Sequence, residues 1–212
     1  MVEMVEGDLP LEWTHWARAS GKIGVDIETS GLSPVTDRIA TVQMFVPTMG
    51  TIMIRKLQDP INLLRLLEDR QTVKIFHHAP FDLGFLQRKY EVTPRSIACT
   101  KIAAKMSDPN RQKYFDPDTN KGSHSLKSIV WTMFQDRLDK TLAVSDWFAE
   151  DLTQAQLDYA AKDVEYLPEI LRRLEVDLAK LRILTLYRKT SNYIPTKIEL
   201  ELKRIDDVFG YA

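Results

Sequence analysis

Two carboxylates stand two residues apart in Asp26-Ile27-Glu28-Thr29. In an extended chain residues i and i+2 point to the same face, so both acids project together. Adjacent carboxylates repel unless a cation lies between them, and hard divalent ions such as Mg2+ and Mn2+ prefer oxygen ligands. The pair reads as half of a metal site, although a D-x-E on a surface strand is also ordinary. A further acid follows two histidines in His77-His78-Ala79-Pro80-Phe81-Asp82. Asp82 falls in the first turn of a helical pattern, where the helix dipole alone favours a carboxylate. Zinc is excluded here, because adjacent histidines rarely share an ion and no cysteine or third histidine stands at a matching spacing. The third stretch is Leu157-Asp158-Tyr159-Ala160-Ala161-Lys162-Asp163-Val164. On a helix Tyr159 and Asp163 are i and i+4 and lie one above the other. They read either as a core tyrosine beside a surface acid or, since the alanine pair between them frees that face of bulk, as a functional pair.

These groups need a strand and two helices to bring them together. Gly21 breaks the chain before residues 22–28, which read as a strand with Ile23, Val25 and Ile27 on one face. Residues 38–46 and 51–55 read as the next two strands, joined through Pro47 to Gly50 as an antiparallel hairpin. Pro60 opens a helix through Asp69 with Ile61, Leu64 and Leu67 as its apolar stripe. A buried strand over 73–76, a helix over 81–90, a strand near 96–99 and a helix over 101–106 follow. Residues 107–123, rich in Pro, Asp, Asn and Lys without a period, read as one long loop, and such loops are functional or disordered. A helix resumes over 125–134. Thr153 with Gln156 forms a capping box that starts a helix running to about Arg188, broken near Pro168.

The chain has 212 residues, 29 Lys and Arg against 30 Asp and Glu, a net charge of −1 and 44% hydrophobic residues. These values suit a globular domain that buries a real core. No apolar run approaches the roughly 20 residues that cross a bilayer, and the acidic amino terminus lacks the pattern of a secretory signal. The expectation is a cytoplasmic protein without a membrane, its one cysteine, Cys99, being a small buried hydrophobe. A binder of long polyanions usually carries an excess of Lys and Arg, and this chain carries none overall. Around the long loop, however, Lys101, Lys105, Arg111, Lys113, Lys121 and Lys127 outnumber the acids, as either a solvated face or a local phosphate grip.

Together, the three acidic stretches resemble the exonuclease motifs of the DnaQ-like superfamily in its tyrosine-bearing DEDDy branch. D-x-E, a later Asp and Y-x-x-x-D stand in that order. Leu138-Asp139-Lys140, Ser145-Asp146-Trp147, Leu152-Thr153, Gln156 and Tyr159-Ala160-Ala161 resemble the ribonuclease D group. Gly7-Asp8-Leu9-Pro10, Lys74-Ile75-Phe76-His77 with Phe81-Asp82-Leu83, Cys99-Thr100-Lys101-Ile102-Ala103, and Ile205-Asp206 near Phe209 are similar to nanoRNase C, bacterial enzymes that degrade very short RNAs, dinucleotides especially. The likeness runs over nearly the whole chain, with the 107–123 loop longer than that family's pattern and no helical accessory domain following.

The resemblance implies a single α/β domain over 1–212, with a ribonuclease-H-like mixed sheet flanked by helices, a core over about 20–190 and a C-terminal extension over about 190–212. It implies a two-metal-ion 3′→5′ exoribonuclease that hydrolyses short single-stranded RNA to nucleoside 5′-monophosphates. Asp26, Glu28, Asp82 and Asp163 would hold two divalent ions, Mg2+ or Mn2+, and Tyr159 would orient the attacking water as a neutral phenol. Thr29, Leu32, His77 and Phe81 would meet substrate. Leu32 would act as a wedge between the last two bases and Phe81 as a stacking face, with ordinary packing equally open for both. His77 would reach the scissile phosphate or sugar, or sit as a core histidine. Asp146 and Trp147 would anchor the loop before the motif helix. Assembly as a homo-oligomer, a ring-like octamer being one form, also follows from the resemblance. The rivals are a DNA-directed exonuclease, since the same acids serve DNA, and an inactive nucleic-acid-binding protein, against which the complete acid set argues.

Overall fold

The computed structural model describes residues 2–139, 141–205 and 208; Lys140, Asp206 and Phe209, used above for the resemblance, lie outside the described residues. Along the chain run β1 (Val2–Glu6), α1 (Leu11–Ser20), β2 (Lys22–Thr29), β3 (Ile39–Val46), β4 (Gly50–Arg55), α2 (Ile61–Glu68), β5 (Val73–Phe76) and α3 (Ala79–Tyr90). Then follow β6 (Ile97–Cys99), α4 (Thr100–Ser107), α5 (Leu126–Phe134), α6 (Gln154–Glu165), α7 (Leu167–Lys180) and α8 (Leu184–Leu202). The strands form one sheet in the order β1-β4-β3-β2-β5-β6, with β3 antiparallel to β2 and β4 and the other pairs parallel. The fold is thus the expected mixed-sheet α/β domain of ribonuclease-H-like exonucleases, with β2 in the interior of the sheet.

The pleat of β2 sorts its residues. Ile23, Val25 and Ile27 are buried in a core shared with α1, α2 and α3, on the same side as Val42, Met44 and Val46 of β3. The opposite side of β2 presents Gly24, Asp26 and Glu28, and β3 presents Thr41, Gln43 and Phe45 beside them in antiparallel register. A second core lies on that side, where Val164 of α6 and Leu167, Ile170, Leu171 and Leu174 of α7 meet α4 and α5. A third, small cluster joins Ala160 of α6 to Ala40 and Met53, with Trp147.

Three features differ from the sequence expectation. β1 and α1 were not foreseen: the charged VEMVE run half-buries at the sheet edge, and α1 buries only Trp13, Thr14 and Ala17. The helix expected to run to about Arg188 breaks near Pro168 as expected, at Tyr166, but breaks again at residues 181–183 and continues to Leu202. Pro195 lies inside α8, which packs Ile194 and Ile198 into the first core. The long loop, finally, is held by its own acids. Asp108 accepts from the amides of Gln112 and Lys113, Asp116 accepts from those of Asp118 and Thr119, and Tyr114 is fully buried.

Candidate active site

Strand geometry and one glycine assemble the site. Gly24 lies where α6 crosses β2, and a Cβ there would stand 2.3 Å from the carbonyl oxygen of Val164. Only a residue without a side chain lets the α6 backbone settle so close to the strand. Ala160 and Ala161, both buried, serve the same approach from the helix side. One residue before Val164, Asp163 therefore comes down over the strand at Asp26 and Glu28. Ligand atoms of Asp26, Glu28 and Asp163 all lie within 4.8 Å of one another. The register of β2 on β3 shifts between Glu28 and Thr29, an irregularity next to the acids of the kind that re-aims side chains.

Asp82 is adjacent to this trio, hydrogen-bonded to Asp26, and enters from the first turn of α3. It is buried, and burial first, then the Asp26 carboxylate, hold its carboxyl well above the usual range; the backbone amides of Asp82 and Ile27 act in the opposite sense. Tyr159 lies one helical turn before Asp163, its ring centroid 5.9 Å from that of Trp147. Burial first, then Asp163 and Glu28, push its hydroxyl well above the ordinary phenol range, so it stays a proton donor at any working pH. The four acids and the tyrosine singled out in the sequence thus meet at one place.

Positions around them divide. The Thr29 hydroxyl donates to the carbonyl of Gly31 at 2.6 Å, which shapes the turn after β2. Leu32, on that turn, is 83% exposed. Phe81 is half-buried, its ring 5.1 Å from that of Phe85. His77 Nδ1 is 2.9 Å from the Thr100 hydroxyl, which itself donates to the carbonyl of Phe76 at 3.2 Å. Of the lysines considered as a phosphate grip, Lys113 is paired with Asp177 and Lys127 with Asp116 and Asp118. Among the described residues, Lys101 and Lys105 have no ion-pair partner, and with Lys197 their charges disfavour protonation of His78, after burial the main cause.

Sequence reading missed the groups that brace the site. Gln43, fully buried, donates from Nε2 to Asp26 Oδ2 at 2.9 Å and accepts at Oε1 from the buried Thr41 hydroxyl at 3.1 Å. Arg55, also buried, donates to the carbonyls of Ala149 and Glu150 at 2.9 and 2.6 Å and so pins the loop that carries Trp147. The Gln156 side chain, beyond closing the capping box, donates to Ser145 Oγ and the Asp146 carbonyl at 3.1 Å each. The available signal was Thr41 and Gln43 at i and i+2 in the otherwise apolar run from Ile39 to Val46, the same spacing as Asp26 and Glu28.

A sequence family described as 3'-5' exonuclease matches residues 5–179. Ribonuclease D of Desulfotalea psychrophila is 32% identical over 111 residues, which are 52% of this chain and 27% of that protein. The chain spans less than half the length of the ribonuclease D relatives it matches. Among solved structures, Brucella melitensis NrnC with bound Mg2+ superposes with a TM-score of 0.84 at 31% identity, covering 100% of both chains. The same protein bound to pGG superposes at 0.85 and 32% identity over 100% of this chain and 99% of that one. With the acids and tyrosine of the three motifs gathered at the end of β2 and the profile spanning most of the chain, this protein belongs to the 3'-5' exonuclease family.

Proposed function

We propose that the chain is a divalent-metal-dependent 3′→5′ exoribonuclease that removes nucleoside 5′-monophosphates from RNAs of two to a few nucleotides. The observation that carries the reading is the convergence of Asp26, Glu28 and Asp163 within 4.8 Å. An all-carboxylate donor set suits a hard cation such as Mg2+ or Mn2+, and Asp82, placed against Asp26, completes a set able to hold two. When bound, such ions lower the pKa of water and stabilise charge on a phosphodiester undergoing in-line displacement. Tyr159 supplies a hydroxyl that remains protonated and orients the attacking water by donating to it or to the phosphate. Thr29, Leu32, Phe81 and His77 line the substrate side. The exposed Leu32 side chain and the Phe81 ring offer apolar faces for bases, each stacked base being worth about 1–3 kcal/mol. His77 stands beside them, its Nδ1 hydrogen-bonded with the Thr100 hydroxyl and its Nε2 buried, and it would act on the sugar or phosphate through the packing of that wall.

RNA rather than DNA is part of the proposal, as are assembly as a homo-oligomer and residence in the cytoplasm. No helix is long and apolar enough to cross a membrane. Exposed Leu11 and Trp16 on α1 and Leu181 and Leu186 around the start of α8 offer apolar surface for contacts between copies. The test is a time course on 5′-labelled RNAs of two to about 20 nucleotides and matched DNAs, with Mg2+, Mn2+ or chelator, alongside light scattering. Mononucleotide release from RNA 3′ ends only with metal supports the reading. Equal or faster release from DNA points to a DNA-directed enzyme, and no release at all to a binding protein.

A further inference from the structure

Gln43 shares no element with the acids, yet the antiparallel register sets it directly opposite Asp26 and sets Thr41 opposite Glu28. All four side chains leave the sheet on the face that α6 covers. Both neutral residues are fully buried, and burying an amide and a hydroxyl is costly unless each is satisfied. They satisfy each other in a directed order. The Thr41 hydroxyl donates to Gln43 Oε1, which fixes the amide so that Nε2, and not the oxygen, faces Asp26 Oδ2. A free glutamine in a sheet could flip its amide with little penalty; here a flip would set Oε1 against the Asp26 carboxylate and force the Thr41 hydroxyl to turn from donor to acceptor.

We infer that Thr41 and Gln43 are positioning residues for the metal centre: an amide relay that holds the Asp26 carboxylate in its ligating orientation while leaving its charge intact. This rests on the proposed metal role of Asp26. The choice of residue type carries the inference. A lysine or arginine opposite Asp26 would fix it equally well, but would also neutralise it and compete with a divalent ion for its oxygens. An apolar residue would leave the carboxylate free to rotate and to pair elsewhere. An amide donor commits one oxygen, Oδ2, to a neutral hydrogen bond and keeps full negative charge on the group. Carboxylates that bind metals are commonly braced this way, and loss of the brace lowers metal affinity or activity about 10–100-fold.

The experiment titrates Mn2+ into the full-length protein by calorimetry and, separately, follows turnover of a ribodinucleotide against Mn2+ concentration. Gln43→Met keeps the shape and removes the donor; Thr41→Val removes the hydroxyl that sets the amide; Thr41→Ser restores it. The relay predicts Mn2+ affinity down about 10–100-fold in Gln43→Met and by a smaller factor in Thr41→Val. Thr41→Ser should bind as the wild type does. The Mn2+ concentration for half-maximal turnover should rise in parallel, while KM for the dinucleotide at saturating metal stays within about twofold. A purely structural role would lower Tm in Gln43→Met and Thr41→Val with Mn2+ affinity unchanged, and that result overturns the relay. If Gln43→Met does not fold, Thr41→Val against Thr41→Ser decides alone. A wild type that binds no Mn2+ sinks the metal-site reading and the relay with it, an outcome distinct from variants that bind as well as the wild type.

Discussion

At the scale of single residues the site stores a conflict between carboxylates that a cation relieves. Asp82 is buried against Asp26, and its carboxyl sits well above the usual range because burial and that neighbour both resist its ionisation. The sign follows directly. A carboxyl whose folded pKa is raised binds more protons folded than unfolded once the pH passes the unfolded value, so stability falls as pH rises above about 4. Asp82→Asn removes this penalty. The metal-free variant should melt above the wild type at pH 7, the gap should close as the pH falls toward 4, and turnover should drop about 10²-fold or more. Calorimetry with chelator, beside kcat with Mg2+, checks both halves; a variant with near-normal turnover contradicts the assignment. Tyr159→Phe makes a contrasting case. Its hydroxyl stays protonated across the working range, so the variant should lose kcat without moving the alkaline side of the pH profile, as pH–rate curves of the two proteins would show.

At the scale of elements, the docking of α6 on β2 depends on Gly24. In Gly24→Ala the new Cβ would stand 2.3 Å from the Val164 carbonyl oxygen, a backbone atom that cannot swing aside. The helix must move, carrying Tyr159 and Asp163 away from Asp26 and Glu28. The cost should be about 1–3 kcal/mol in chemical denaturation, and activity should fall by far more than that loss of folded protein explains. β5 carries a second misfit. Lys74 is fully buried, its ammonium donating to the Asp69 carbonyl, and burial pulls its pKa down to about 8. A lysine with a lowered folded pKa penalises the fold below about pH 8, and the penalty fades as pH rises toward 10.5. Lys74→Met should therefore gain stability relative to the wild type at pH 7, and that advantage should shrink by about 2 kcal/mol by pH 9.5, measured by urea unfolding. How far such elements were legible follows from the same physics. β2 to β6 and α2 to α5 could be read because apolar period and turn residues coincide in them, and the acids could be read because i, i+2 and i, i+4 spacing is local. β1 could not: its residues VEMVE alternate nothing clearly, and only pairing along β4 makes them a strand. The brace on Asp26 was hidden for the same reason, since Gln43 lies 17 residues away and meets it only through strand register.

At the scale of the whole molecule, the question is how much of a nucleic acid this chain can hold. Each phosphate neutralised on a single strand adds affinity and steepens the salt dependence by about 0.7 in log K against log salt. Net charge is −1, so a long track cannot come from the surface as a whole. The long loop, whose lysines were the main candidates for such a track, contributes less than its composition promised. Lys113 and Lys127 are tied to Asp177, Asp116 and Asp118, and the loop closes on its own Asx turns. Among the described residues, Lys101 and Lys105 of α4, beside the His78 ring, have no ion-pair partner, and neither do Arg111 and Lys121 of the loop, whereas the neighbouring Lys197 of α8 is tied to Glu201. The two lysines of α4 supply a slope of about −1.4, and the metal site, the bases and end contacts must provide the rest of the binding. The expected result is that kcat/KM for a ribodinucleotide exceeds that for an unstructured 20-mer at both 50 and 200 mM salt, with a shallow slope for each. Replacing Lys101 and Lys105 together by alanine should flatten the 20-mer's slope by about 1.4. If the 20-mer is instead the better substrate at both concentrations and its rate falls steeply with salt, the chain holds a longer strand than its charge distribution allows, and the short-RNA assignment must be replaced by a general exonuclease.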